Sequence, residues 1–97
     1  RGRRMTRSLY LYTTMGCHLC EQAEQLLQPV LMHANRLRQE SGLVPFLLQS
    51  VDIADEPALV ERFGVRIPVL CIQGGTVELG WPFDQGDIFM LLSECSR

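Results

Sequence analysis

Apolar and polar positions change their rhythm several times along the chain, and each rhythm predicts an element. Ser8-Leu9-Tyr10-Leu11-Tyr12-Thr13 is short, rich in β-formers and followed by Gly16, which predicts a buried first strand. Tyr10 and Tyr12 share parity, so they face one side of that strand and Leu9 and Leu11 the other. From about His18 the spacing becomes helical: Ala23, Leu26, Leu27, Val30, Leu31, Ala34 and Leu37 recur at intervals of three and four. Glu21 and Glu24 fall in the first turns, where the helix dipole favours negative charge. Pro29 is expected to kink or split this helix, and Gly42 to stop it.

Val44 to Ile53 predicts a second strand with Pro45 at its start, where a missing ladder donor is tolerated. Asp55 is expected to cap a second helix, with Pro57 in its first turn and Gly64 at its end. Val65 to Ile72 predicts a third strand with Pro68 in its opening half. Gln73-Gly74-Gly75-Thr76 is a tight hairpin signal leading to a short fourth strand, Val77 to Gly80. Trp81-Pro82-Phe83 breaks that strand, and Asp84 opens a last helix carrying Ile88, Phe89, Leu91 and Leu92. The order is β-α-β-α-β-β-α. Its first unit demands a parallel pair with a right-handed crossover, and the hairpin makes the last pair antiparallel. The expected fold class is α/β: a mixed four-stranded sheet with helices on both faces.

At 97 residues there is room for one core. Residues 8–97 are read as a single domain. Residues 1–7, which hold the basic cluster Arg1, Arg3, Arg4 and Arg7 around Met5, are read as an N-terminal extension without fixed structure, with Met5 near the natural start. From Met5 onward six Arg stand against eleven acids, a balance of −5, and every cation of the Lys/Arg class is Arg. No basic stripe marks a nucleic-acid partner. No apolar run approaches a signal peptide or a membrane span. The expectation is a cytoplasmic monomer whose four Cys start reduced, so that a close Cys pair points to redox or metal chemistry.

Cys17-His18-Leu19-Cys20 is that pair, a C-x-x-C between a strand and a helix. The first Cys lies at the helix N-terminus, where unpaired N–H groups and the dipole stabilise a thiolate. The second lies one turn inside, partly sheltered and within reach of the first. Cys17 then serves as nucleophile on a disulfide and Cys20 as resolving thiol, while protonated His18 adds positive charge between them. Buried packing and metal binding compete with this reading. Zinc needs four ligands, and no second C-x-x-C or H-x-x-x-H is present, although a dimer could share a site. Cys71 and Cys95 stand alone in apolar stretches and read as core residues.

Strand, C-x-x-C, helix, strand, helix, then X-Pro opening a hairpin resembles the thioredoxin fold in its glutaredoxin form. Tyr12-Thr13, Gly16 to Glu21, Val51-Asp52-Ile53, Arg66-Ile67-Pro68-Val69-Leu70 and Gly80-Trp81-Pro82-Phe83-Asp84 resemble the bacterial glutaredoxin-like proteins. The resemblance implies a thiol–disulfide oxidoreductase acting on protein or small-molecule disulfides. It implies no required cofactor, with glutathione as a candidate co-substrate. It matches Cys17 to the nucleophile, Cys20 to the resolving Cys, and Pro68 to a cis-proline facing the disulfide that turns the Ile67 backbone toward an incoming strand.

Departures from the family pattern bear on glutathione. Thr14 stands where glutaredoxins carry a Lys, and His18-Leu19 replaces Pro-Tyr. Of the late Gly-Gly-x-Asp element, Gly80 is kept and Trp81 replaces the second Gly. Asp84 is a helix cap or a partner for a ligand amine, and Arg66 a partner for a carboxylate or a solvated charge. Trp81 is either an apolar platform beside the cysteines or core under the last helix. The rival functions are a metal or iron–sulfur carrier using Cys17, and a redox-inert interaction domain.

Overall fold

The computed structural model describes residues 7–94. Its elements are β1 (Arg7–Thr13), α1 (His18–Glu40), β2 (Phe46–Asp52), a 3-10 turn (Ile53–Asp55), α2 (Pro57–Phe63), β3 (Val69–Ile72), β4 (Glu78–Gly80) and α3 (Gln85–Ser93). The strands form one mixed sheet in the order β2-β1-β3-β4. β1 pairs with β2 in parallel, and β3 is antiparallel to both β1 and β4. The four strands and three α-helices, in the expected order, and the sheet agree with the expected α/β fold class.

Alternation along β1 sets the two layers. Leu9 and Leu11 point to one face and are buried against Ala23, Leu27 and Leu31 of α1 and Ile88, Leu91 and Leu92 of α3. Tyr12 points to the other, where it packs with Ile53, Val69 and Phe63 of α2, its ring stacked on Phe63 at 4.5 Å. The register carries the same division into β3. Leu70 and Ile72 lie opposite Leu11 and Leu9, whereas Val69 and Cys71 lie opposite Tyr12 and Tyr10. Among the described residues, no helix is long and apolar enough to cross a membrane.

Several local expectations are corrected. α1 is one continuous helix through Pro29. The carbonyl that Pro29 deprives of a donor is that of Gln25, and both residues are exposed, so water can serve it. Asp55 does not cap α2. It closes the 3-10 turn, whose cap is Asp52, accepting from the Ala54 N–H at 2.9 Å. Glu56 holds the cap position of α2 and makes no side-chain cap bond. β3 starts at Val69, not Val65. The intervening N–H groups of Arg66 and Ile67 both donate to the Phe63 carbonyl, which extends the turn leaving α2 and leaves Val65 fully exposed. Arg7 belongs to β1 and bonds the Pro45 carbonyl through its N–H. The rest of the N-terminal extension and Cys95 lie outside the described residues. Gly42 and Gly74 take positive φ, at the end of α1 and in the β3–β4 turn, where a side chain would be strained. The Ile67–Pro68 and Trp81–Pro82 peptides are cis.

Candidate active site

β1 ends at Thr13, and the chain must turn sharply to enter α1. Gly16 supplies the turn with φ of 72°, a conformation L side chains rarely adopt. Cys17 follows in extended conformation as the N-cap of α1. A cap normally offers an oxygen to the free N–H groups of the first turn. Here the Sγ of Cys17 accepts from the Cys20 N–H at 3.1 Å. Cys17 and Cys20 are disulfide-bonded, with Cα atoms 5.3 Å apart. Cys17 is half-buried, Cys20 is 5% exposed, and His18 and Leu19 between them face solvent. The pair therefore has an outer and an inner sulfur, as the helix position requires.

Strand register brings the other candidates to this end of the sheet. Tyr12 pairs with Val69 and Val69 with Gly80. The next positions outward are Thr13, Pro68 and Trp81, and the Trp81 N–H donates to the Pro68 carbonyl at 3.1 Å. Pro68 is buried and Ile67 half-buried, packed against the α2-side core. Trp81 is half-buried, packs on the main core and meets Phe83 edge-on at 5.1 Å. It thus belongs largely to the packing under α3. Asp84 is the N-cap of α3 in a capping box, accepting from the Asp87 N–H while Asp87 accepts from the Asp84 N–H. Arg66 is exposed, and its guanidinium bonds Glu78 at 3.1 Å. Arg62 bonds the other oxygen of the same carboxylate. Arg66 is thus paired at the β4 edge while its side chain stays open to solvent.

Cys71 is separate from this site. It is a free thiol on the α2 face, beside an open hollow of about 410 Å³ lined by Tyr10, Tyr12 and Glu78. Burial raises its pKa above the usual thiol value, and its hydrogen bond with Tyr12 opposes that shift. Among the described residues, no three His, Cys, Asp or Glu side chains gather to hold a metal ion. Two features of the site escaped sequence reasoning. The cis Trp81–Pro82 bond leaves no local signature distinguishing it from trans. The Arg62–Glu78–Arg66 cluster joins residues far apart in the chain.

Known proteins give the same picture. Residues 8–93 match the model of the Glutaredoxin-like domain (DUF836). The chain belongs to this glutaredoxin-like family. The X-ray structure of structural-genomics target protein XcR50 from X. campestris is 36% identical, with a TM-score of 0.63, covering 90% of this chain and 97% of that one. The solution structure of XcR50 aligns at 32% identity and a TM-score of 0.64, over 92% of this chain and 96% of its own. No curated protein matches the chain. This glutaredoxin-like domain therefore has a thioredoxin-like α/β fold with a C-x-x-C pair at disulfide distance.

Proposed function

We propose that this glutaredoxin-like domain is a thiol–disulfide oxidoreductase of the cytoplasm, active as a monomer with no resident cofactor. The observation that carries this reading is the bonded Cys17–Cys20 pair at the N-terminus of α1, with the Cys20 N–H aimed at the Cys17 sulfur. In the reduced protein the same donor and the helix dipole favour a thiolate on Cys17. That thiolate attacks one sulfur of a substrate disulfide. The substrate S–S bond breaks, and its departing thiolate takes a proton from solvent. Cys20 loses its proton and attacks Cys17 in the mixed disulfide, releasing the second substrate thiol. The substrate gains two electrons and two protons, and the protein ends as the Cys17–Cys20 disulfide. An external thiol, glutathione being one candidate, returns it to the dithiol.

Pro68, at the sheet end beside the Cys17 turn, and the backbone of Ile67 before it are the residues proposed to align an incoming strand. His18 borders the outer sulfur. Trp81 supports Pro68 through its N–H, and Asp84 fixes the start of α3 behind it. Arg66 has its charge directed at Glu78, which leaves it poorly placed to serve a glutathione carboxylate.

The test is equilibration across glutathione redox buffers, acid quench, alkylation and mass measurement. The expected result is a Cys17–Cys20 disulfide forming at a defined potential, lost in Cys17→Ser, with Cys20→Ser accumulating mixed disulfides on Cys17. Two free thiols across the whole range would overturn the proposal.

A further inference from the structure

Resting on the redox reading above, we infer that the Cys17–Cys20 pair acts on protein disulfides flanked by basic and apolar residues in preference to glutathione disulfide. The electrostatics of the reactive end carry the first half. Thr13, the last strand residue before the turn to Cys17, is the register partner of Asp52. Asp55 and Glu56 follow Asp52 directly through the 3-10 turn. Glu21 lies in the first turn of α1, and Asp84 caps α3 three residues beyond Trp81. All five carboxylates are exposed. Arg62 and Arg66, on the α2 side, share the single carboxylate of Glu78, which leaves one positive charge there against the five carboxylates. Glutathione carries more carboxylates than ammonium groups, so this end repels it, whereas a cationic segment is drawn in.

The second half rests on apolar exposure. Met15 is 89% exposed and Leu19 44%, and they stand two residues before and two after Cys17. Apolar side chains held in water beside a reactive sulfur are surface that an apolar substrate segment can cover. Glutathione offers no such segment. A protein disulfide with an apolar neighbour does.

The experiment mixes pre-reduced protein with disulfide-bonded peptides that differ only in whether Arg, Ser or Glu flanks the cysteines, and with glutathione disulfide. Oxidation is followed by stopped flow at low and high salt. At low salt the Arg-flanked peptide is expected to react roughly tenfold faster than the Glu-flanked peptide or glutathione disulfide, and high salt should close the gap. The combined variant Glu21→Gln, Asp52→Asn, Glu56→Gln should shrink the Arg-to-Glu ratio; the amide introduced by Asp52→Asn keeps an acceptor for the 3-10 turn. Equal rates at low salt, or a ratio untouched by the variant, would overturn the inference. A reduced protein that no disulfide oxidises, including a small aromatic reagent disulfide, would instead overturn the redox reading.

Discussion

The backbone N–H of Cys20 donates to the sulfur of Cys17 at 3.1 Å, so a thiol occupies the capping place usually held by a hydroxyl or carboxylate. The cap survives reduction only if Cys17 remains a good acceptor, and a thiolate is a better acceptor than a thiol. The reduced protein should therefore alkylate faster at Cys17 than at Cys71 at neutral pH. Timed iodoacetamide quenching with peptide mass mapping reads the order directly. Equal rates at Cys17 and Cys71 would remove the helix N-terminus as the source of reactivity.

Stability should fall at alkaline pH. Burial raises the pKa of Cys71 and that of Tyr12 above their ordinary values, and a Tyr12–Cys71 hydrogen bond couples them. Each group is held protonated in the folded state and ionises at lower pH once unfolded. Their contribution is complete below the unfolded values and disappears as pH rises through the folded ones. Urea midpoints should be level near neutrality and decline above about pH 9. Cys71→Val should flatten the early part of that decline.

Asp84 separates structure from charge. Asp84→Ala breaks a reciprocal capping box and should cost about 1 kcal/mol in urea unfolding. Asp84→Asn retains the acceptor and should recover most of it. A fall in disulfide exchange in the Asn variant without a fall in stability would assign the carboxylate a ligand.

Asn35 fastens the far half of α1. Its side-chain amide donates to the Phe46 carbonyl at 2.9 Å and accepts from the Phe46 N–H at 2.7 Å, taking the place of a neighbouring strand at the first residue of β2. Asn35→Ala leaves both groups without that partner and should cost roughly 1–3 kcal/mol, measured as a shift in the urea midpoint.

The architecture was legible where periodicity and turn chemistry agreed. Leu9 and Leu11 against Tyr10 and Tyr12, the stripe from Ala23 to Ala34, and the Gly74-Gly75 turn each placed an element correctly. The C-x-x-C placement at a helix start was legible for the same reason. Boundaries failed where composition was silent. Val65 and Ile67 are β-formers, yet their segment closes the turn after α2 because the Phe63 carbonyl accepts from two successive N–H groups. Asp55 before Pro57 reads as a helix cap from sequence, but the 3-10 turn from Ile53 to Asp55 takes it in and leaves the cap place of α2 to Glu56. Asn35 and Glu78 do their work across the fold, on Phe46 and on Arg62 and Arg66, where no local pattern reaches.

Helix α1 also behaves as a lever. Ala23 and Leu27 bury its N-terminal half in the core, and its C-terminal half has polar anchors, where Asn35 holds Phe46 and Arg38 bonds the Val44 carbonyl and covers the Phe46 ring at 4.4 Å. Cys17 sits at the N-terminal tip, roughly 27 Å from Asn35 along the axis at 1.5 Å per residue. A tilt of about one degree at the anchored half moves the sulfur by about half an ångström, a shift large enough to matter for in-line attack on a disulfide. Aim at the reactive end is therefore shared between the packing of Ala23 and Leu27 and an amide and a guanidinium at the opposite end of the molecule, so substitutions at Asn35 or Arg38 should change how fast Cys17 meets its target without touching the site.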